Sequence, residues 1–256
     1  MKDSTMKISV QLYSLRNVGN FEAQLALARE GGFEWVESVA THDLAPREFT
    51  LALQRHGLRL SSMHASLEAL EDDTKRAHLL AACEATGCPL IVMPWLPMSQ
   101  RAATAEGWRA MGERLAGIGR GLAARGVRLA YHNHDFEFLA YEGRPALEWL
   151  FSAAPATDLG WEADMGWLCR AGQSPLPWVE RLGGRLEAVH TKDIAPDTRR
   201  RTEDGWCAVG AGIVGWGTLL PLLAQHCPLF VFEHDNPADP LPTLQASQRF
   251  MQAHLG

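Results

Sequence analysis

Eight short runs rich in apolar and β-branched residues punctuate the chain. They are Ile8 to Leu12, Phe33 to Val39, Leu58 to His64, Leu90 to Trp95, Val127 to His134, Leu159 to Asp164, Leu186 to Lys192 and Leu229 to Asp235. Their apolarity is nearly continuous rather than alternating, the mark of strands covered on both faces, as in parallel sheets. Helical patterns lie between them. Phe21 to Glu30 stops at Gly31-Gly32, Pro46 to His56 at Gly57, Thr74 to Thr86 at Gly87 and Thr104 to Arg125 at Gly126; a glycine just past the last turn is a common helix stop. In the longest, Trp108, Met111, Leu115, Ile118 and Leu122 recur at three-to-four spacing and define one buried face. Pro145 to Ser152, Pro177 to Leu182, Trp216 to Gln225 and Thr243 to His254 complete the series.

Eight strand–helix alternations with no internal hairpin signal predict a single (β/α)8 TIM barrel spanning residues 1–256. The length of 256 residues suits that fold, for which about 250 is typical. No linker, low-complexity tract or charge block divides the chain. An open doubly wound sheet would need a glycine-rich phosphate turn after the first strand, and Gln11-Leu12-Tyr13-Ser14-Leu15-Arg16 contains no glycine.

The formal net charge of −6 argues against a nucleic-acid partner. The one basic run, Arg199-Arg200-Arg201, is flanked by Asp197, Glu203 and Asp204 and reads as a solvated loop, with a local anion contact as the alternative. No stretch approaches the roughly 18 apolar residues of a membrane span, and the first residues carry no apolar signal core. The five cysteines are irregularly spaced, which suits reduced thiols in a cytoplasmic protein. Nothing in the chain demands self-association, although a homo-oligomer is compatible with it.

Chemistry in such a barrel gathers at the C-terminal ends of the strands. Strand one presents Gln11 and Tyr13 there, strand two Glu37, strand three His64 and strand four Trp95. Strand five presents His132 and His134, which share a face, with Glu137 just beyond. Strand six presents Glu162 and Asp164, strand seven His190 and Lys192, and strand eight Glu233 and Asp235. Several carboxylates converging on one mouth would repel one another unless a cation sat among them. The set His132, Asp164, His190 and Glu233 would form such a site, its mixed nitrogen and oxygen ligands suiting Mn²⁺, Fe²⁺, Co²⁺, Zn²⁺ or Mg²⁺ rather than Ca²⁺. The plainer readings stand beside this one. A lone strand-end histidine such as His64 is as readily structural as functional. Asp193 reads as a cap and Asp235-Asn236-Pro237 as a turn. His42, His56, His78, His226 and His254 read as surface residues, while Trp95 and Trp167 serve either as packing or as a wall for a sugar ring.

Three segments carry a resemblance: Tyr131 to Phe138 (Tyr-His-Asn-His-Asp-Phe-Glu-Phe), Asp164-Met165-Gly166-Trp167 with Ala171-Gly172, and His190-Thr191-Lys192-Asp193. Through them, and over nearly its whole length, the chain resembles the sugar phosphate isomerase/epimerase superfamily, the xylose-isomerase-like barrels that include inosose dehydratases, ketose epimerases and endonuclease IV. The resemblance implies a divalent metal on Asp164, His190 and Glu233. Where the epimerases place a ligand glutamate on strand five, this chain aligns His132, as in the Tyr-His-Asn-His branch, leaving His134 and Glu137 as alternatives. The family's Gly-Glu-Gly turn reads Gly210-Ala211-Gly212 here.

The expected activity is that of a metal-dependent sugar isomerase or epimerase working through a cis-enediolate on a keto-sugar. Glu233, Glu37 and His134 are the candidate bases, and Lys192 would face the developing oxyanion. Its plainer role is a salt bridge to Asp164 or Glu162. Gln11, His64, Trp95, Trp167 and Glu137 are candidate substrate contacts, and Arg16 or the Arg199 to Arg201 run would grip a substrate phosphate if there is one. A keto-sugar dehydratase or keto-glycoside lyase shares the first half-reaction. A barrel that binds sugar or metal without turnover is the non-enzymatic rival. DNA repair of the endonuclease IV type would need more ligands and a basic surface.

Overall fold

Eight parallel strands close into a barrel: β1 (Lys7–Gln11), β2 (Trp35–Val39), β3 (Arg59–His64), β4 (Leu90–Met93), β5 (Arg128–His132), β6 (Gly160–Asp164), β7 (Leu186–Thr191) and β8 (Leu229–Phe232). They stand in sequence order around the barrel, and β8 pairs with β1 through Lys7 opposite Leu229 and Val10 opposite Phe232. The structure is a computed structural model describing residues 6–197 and 202–256. The near-continuous apolarity has its expected cause. Leu90, Ile91, Val92 and Met93 of β4 are all buried, packed by the barrel interior on one side and helices on the other.

The outer layer is α1 (Phe21–Glu30), α2 (Pro46–Arg55), α3 (Asp73–Thr86), α4 (Ala105–Ala123), α5 (Ala146–Ser152), α6 (Pro175–Leu182), α7 (Trp216–Leu223) and α8 (Pro240–Leu255). Asn20 and Thr104 cap α1 and α4 by accepting hydrogen bonds from Ala23 N and Gly107 N. The predicted face of α4 is buried at Trp108, Met111, Leu115 and Leu122. Gly112 and Gly119 let this helix approach its neighbours, since a Cβ at either position would lie 2.0 Å from Leu150 O or 1.8 Å from Asp158 O.

The structure departs from the sequence reading in three places. First, β4, β5, β7 and β8 end before the predicted limits, so Trp95, His134, Lys192, Glu233 and Asp235 stand on the loops just past the strands. Second, the chain does contain a hairpin. Ala140–Tyr141 pairs antiparallel with Arg144–Pro145 around Glu142 and Gly143, both at positive φ (51° and 79°), as a tight two-residue turn requires. A second antiparallel ribbon joins Asp193–Ile194 to Trp206–Cys207. Third, two short helices are added over the mouth, Leu67–Glu71 and Met165–Arg170. The Arg199 to Arg201 run lies outside the described residues. Among the described residues no helix is long and apolar enough to cross a membrane.

Register shifts interrupt two strand pairs, between Val36 and Glu37 where β2 meets β3, and between Trp161 and Glu162 where β6 meets β7. Bulges of this kind bend a strand and re-aim its side chains. The extra residues are Ser61 of β3 and Glu187 of β7, on the strands that pair with those of Glu37 and Glu162.

Candidate metal centre

Alternation along the strands turns His132, Asp164 and His190 inward at the barrel's C-terminal end, and Glu233 follows β8 directly. One ligand atom from each of these four residues falls within 4.8 Å of the others, and all four are buried. His190 Nδ1 lies 3.1 Å from Glu233 Oε2, and His132 Nε2 lies 3.9 Å from Asp164 Oδ2.

Neighbouring residues anchor this cluster. Asp164 Oδ1 accepts the backbone N–H of Trp167 at 2.7 Å and so caps the Met165–Arg170 helix. Asn133, on the opposite face from His132, ties β5 to β6: its Oδ1 accepts from Trp161 Nε1 at 2.8 Å and Asp164 N at 3.1 Å, and its Nδ2 donates to Asp164 O. Below the four lies a second tier. Glu37 Oε1 accepts from Gln11 Nε2 at 2.8 Å and His190 Nε2 at 2.7 Å, and Glu162 Oε2 stands 2.9 Å from His64 Nε2.

Burial and charge set the protonation states. Burial would discharge His64, but Glu37 and Glu162 overcome it and raise the imidazole to about 9. Burial works against His190 too, yet Glu162, Glu37 and Glu233 hold it well above the usual range. His132 has burial and the neighbouring His190 acting together, which push it well below the usual imidazole range. His134 is pushed down to about 3 by burial and Lys192. Burial lifts Asp164 to about 7 against the pull of Lys192. Glu233 is held well below the carboxylate range, Lys192 and His190 outweighing its burial.

A divalent cation fits this donor set. Asp164 Oδ2 is buried and has no hydrogen-bond partner, a costly state that a cation would relieve. Two imidazoles and two carboxylates are the mixture expected of a first-row divalent site.

The structure also distributes the other predicted residues. Lys192 is fully buried, with Nζ 2.8 Å from Asp235 Oδ1, 2.9 Å from Glu233 Oε2 and 3.7 Å from Asp164 Oδ2. Its main partners are therefore Glu233 and Asp235, and Asp235 is more than a turn residue. Gln11 is buried on Glu37, with its Oε1 accepting Tyr13 N. Glu137 turns away from the cluster: Oε1 accepts from Tyr131 Oη at 2.7 Å and Oε2 from His134 N at 2.8 Å. His134 packs edge-on against Trp95, with ring centroids 4.8 Å apart, and lies 5.3 Å from the Trp167 ring. Trp95 is 47% exposed at the rim, where Arg101 lies over it. Trp167 stands over Lys192 and meets Trp206 edge-on. Arg16 is taken up by the carbonyls of Tyr13 and Asp235 and bridges the loops after β1 and β8. His42, His56, His78 and His254 are half-buried rather than on the surface, and none belongs to the cluster.

Sequence reasoning passed over Asn133, Trp206 and the anchoring role of Asp193. Asp193 accepts backbone N–H groups from Ile194, Gly210, Gly212 and Val214 at 2.9–3.1 Å. Glycine at 212 is required by that grip, because a Cβ there would meet Asp193 Oδ1 at 2.2 Å. Asn133 was visible in the Tyr-His-Asn-His segment, but its outward parity concealed its role.

The chain is thus a (β/α)8 barrel with, at its mouth, a histidine–carboxylate cluster that could hold a metal ion. The sequence model of the xylose isomerase-like TIM barrel family matches residues 25–254, and the chain belongs to that family. No curated protein sequence matches it. Among solved structures it is similar to a sugar phosphate isomerase/epimerase from Parabacteroides distasonis, with a TM-score of 0.78, 18% identity, and coverage of 97% of this chain and 94% of that one. It is also similar to the probable 3-DHS dehydratase AsbF from Bacillus anthracis (TM-score 0.71, 17% identity, 96% and 99% covered). The IOLI protein, solved with a zinc atom bound, gives TM-score 0.71 at 14% identity, with 98% of each chain covered. At these identities the likeness establishes the fold.

Proposed function

We propose that this protein is a divalent-metal-dependent sugar isomerase acting on a keto-sugar or related derivative through a cis-enediolate. The observation that carries the reading is the convergence of His132, Asp164, His190 and Glu233 within 4.8 Å, beside the buried ammonium of Lys192. These four residues would hold the cation, with Mn²⁺, Co²⁺, Fe²⁺, Zn²⁺ and Mg²⁺ all compatible with the donors. When bound, it supplies Lewis-acid polarisation of a carbonyl and an adjacent hydroxyl.

The chain's own residues do the rest. Among the cluster's carboxylates, Glu233 keeps 6% exposure while Glu37, Glu162 and Asp164 have none, so Glu233 is the one a substrate meets. It takes the proton from the carbon α to the carbonyl and returns it to the neighbouring carbon. Lys192 Nζ, 2.9 Å from Glu233 Oε2, lies where negative charge develops on the adjacent oxygen. Trp95 and Trp167 wall the mouth and offer ring faces or edges to the sugar. His134 packs against Trp95 and Trp167, which places it in the wall of the mouth rather than at the reacting carbon.

One observation favours a second reading. A single accessible carboxylate suits a one-base proton transfer or a β-elimination better than a two-base epimerisation, because strand five contributes His132 where the epimerases use glutamate. Loss of a β-leaving group from the same enediolate makes the protein a keto-sugar dehydratase or keto-glycoside lyase. Metal analysis followed by NMR of a keto-sugar panel in D₂O tests both. Deuterium at a substrate α carbon supports enediolate chemistry, and a released leaving group selects the lyase. No bound metal and no exchange into any keto-sugar would leave a non-catalytic sugar-binding barrel and sink the proposal.

A further inference from the structure

His132 and His190 are each engaged at both ring nitrogens, and the two edges of each ring face different environments. Toward the mouth, His132 Nε2 faces Asp164 Oδ2 and His190 Nδ1 faces Glu233 Oε2, at 3.9 Å and 3.1 Å. Toward the barrel floor, His132 Nδ1 lies 3.2 Å from Glu162 Oε2 and His190 Nε2 lies 3.1 Å from the same oxygen. His64 Nε2 reaches that oxygen as well, at 2.9 Å. His64, His132, Glu162 and His190 therefore form a second group whose ligand atoms lie within 4.8 Å of one another, deeper than the first.

The geometry separates the two groups. In the deeper one, three imidazole nitrogens point at a single carboxylate oxygen at ordinary N–H···O distances, so the point where they converge is already filled. In the outer one no single oxygen takes that place, since His132 Nε2 faces Asp164 Oδ2 and His190 Nδ1 faces Glu233 Oε2. A neutral imidazole that donates at one nitrogen presents its lone pair at the other, so whatever accepts the N–H decides which nitrogen is free to bind a metal. Metal-bound histidines characteristically donate their second N–H to a carboxylate for this reason.

Given the cation position assigned above, we infer that Glu162 is the positioning residue of the centre. Its Oε2 takes the Nδ1–H of His132 and stands 3.1 Å from Nε2 of His190, on the floor side of both rings, which turns Nε2 of His132 and Nδ1 of His190 toward the cation. Glu37 Oε1 takes the Nε2–H of His190, at 2.7 Å, and completes the support on that side. The deeper group is then the support of one cation site, not a second site.

X-ray absorption on the Zn²⁺-loaded wild-type protein tests this without any substitution. Two imidazoles and oxygen donors on the metal are expected, whereas three imidazoles overturn the inference, because the cation would then lie among His64, His132 and His190. Co²⁺ titration against a competing chelator adds the energetic arm. Glu162→Ala is expected to weaken Co²⁺ binding about 10–100-fold, while the visible absorption of the saturated protein keeps its wild-type band positions. Glu162→Gln, which keeps an acceptor oxygen, should recover most of that affinity. Asp164→Asn should alter the bands themselves. Unchanged affinity in Glu162→Ala, or bands displaced as in Asp164→Asn, overturns the assignment. These measurements need no substrate. A protein that binds metal as expected but exchanges no deuterium sinks the isomerase reading alone, and one that exchanges deuterium with three imidazoles on its metal sinks only this inference.

Discussion

Lys192 Nζ stands 2.9 Å from Glu233 Oε2, with the whole lysine side chain buried under the mouth of the barrel. The pair matters because Glu233 has Asp164 as a further carboxylate neighbour in its ligand group and Lys192 pairs with Asp235 as well. Lys192→Met keeps the unbranched stem and removes the charge. Breaking a buried ion pair by deleting one partner costs about 3–5 kcal/mol, so the metal-free variant should show that loss in urea unfolding. Saturating divalent cation should return part of the stability, since it replaces the missing positive charge. Substrate deuterium exchange should fall about 10²–10³-fold in kcat, the usual effect of losing one oxyanion partner. Wild-type exchange in this variant would remove Lys192 from the chemistry.

Asp164 carries two roles that one substitution separates. Its Oδ1 caps the Met165–Arg170 helix, and its unpartnered Oδ2 faces the proposed cation. Asparagine is as good an N-cap as aspartate, so Asp164→Asn should fold and keep its metal-free stability while losing cation affinity. In wild type, a cation at about 100 times its Kd stabilises by roughly 2.7 kcal/mol. That gain should appear as a raised melting temperature, reversed by chelator and absent from Asp164→Asn. Equal metal content in the variant and wild type would remove Asp164 from the ligand set.

Much of this was legible in the chain before any coordinates. Buried strands such as Leu90 to Met93 announce themselves because both of their faces are covered, and the inward residue at each strand end follows from parity. His132, Asp164, His190 and Glu233 could thus be named together. What stayed hidden depended on geometry that pattern does not encode. The strand limits ran long because polar residues with strand-like alternation continue into the loops, as at His134 and Asp235. Glu137 looked like a mouth residue, but the 3₁₀ turn Phe136–Phe138 reverses the chain and carries its carboxylate onto Tyr131. The meeting of Glu37 with His190 joins residues 153 positions apart across the barrel floor, beside register shifts no periodicity predicts. The Glu142-Gly143 hairpin was missed because its strands are two residues long.

Glu137 makes the protein's stability depend on pH. Burial raises its carboxyl to about 8 from an ordinary 4.5, despite hydrogen bonds from Tyr131 Oη and His134 N. Between those two values the folded protein holds a proton that the unfolded chain has released. Stability therefore falls as pH rises through this window, by up to about 1.4 kcal/mol per pH unit, and levels off above pH 8. Glu137→Gln holds no titrating proton there, so the slope of its urea midpoint against pH should be shallower than that of wild type between pH 5 and 8. Parallel curves for the two proteins would count against a protonated Glu137.

Trp95 offers the cleanest separation of binding from chemistry. It is 47% exposed and meets His134 and Phe136 edge-on, with centroids at 4.8 and 5.6 Å, and it hydrogen-bonds none of the carboxylates of the centre. An aromatic contact of this kind is worth about 0.5–1.5 kcal/mol, so Trp95→Ala should raise KM for a sugar substrate roughly 2–10-fold. Because the ring touches neither the reacting carbon nor the proposed ligands, kcat and metal content should hold near wild type, the signature of lost uniform binding. Trp95→Phe keeps a ring and should fall between the two. A drop in kcat with KM unchanged would instead place Trp95 in the positioning of His134 and the wall behind it, and would move it out of the substrate's direct contacts.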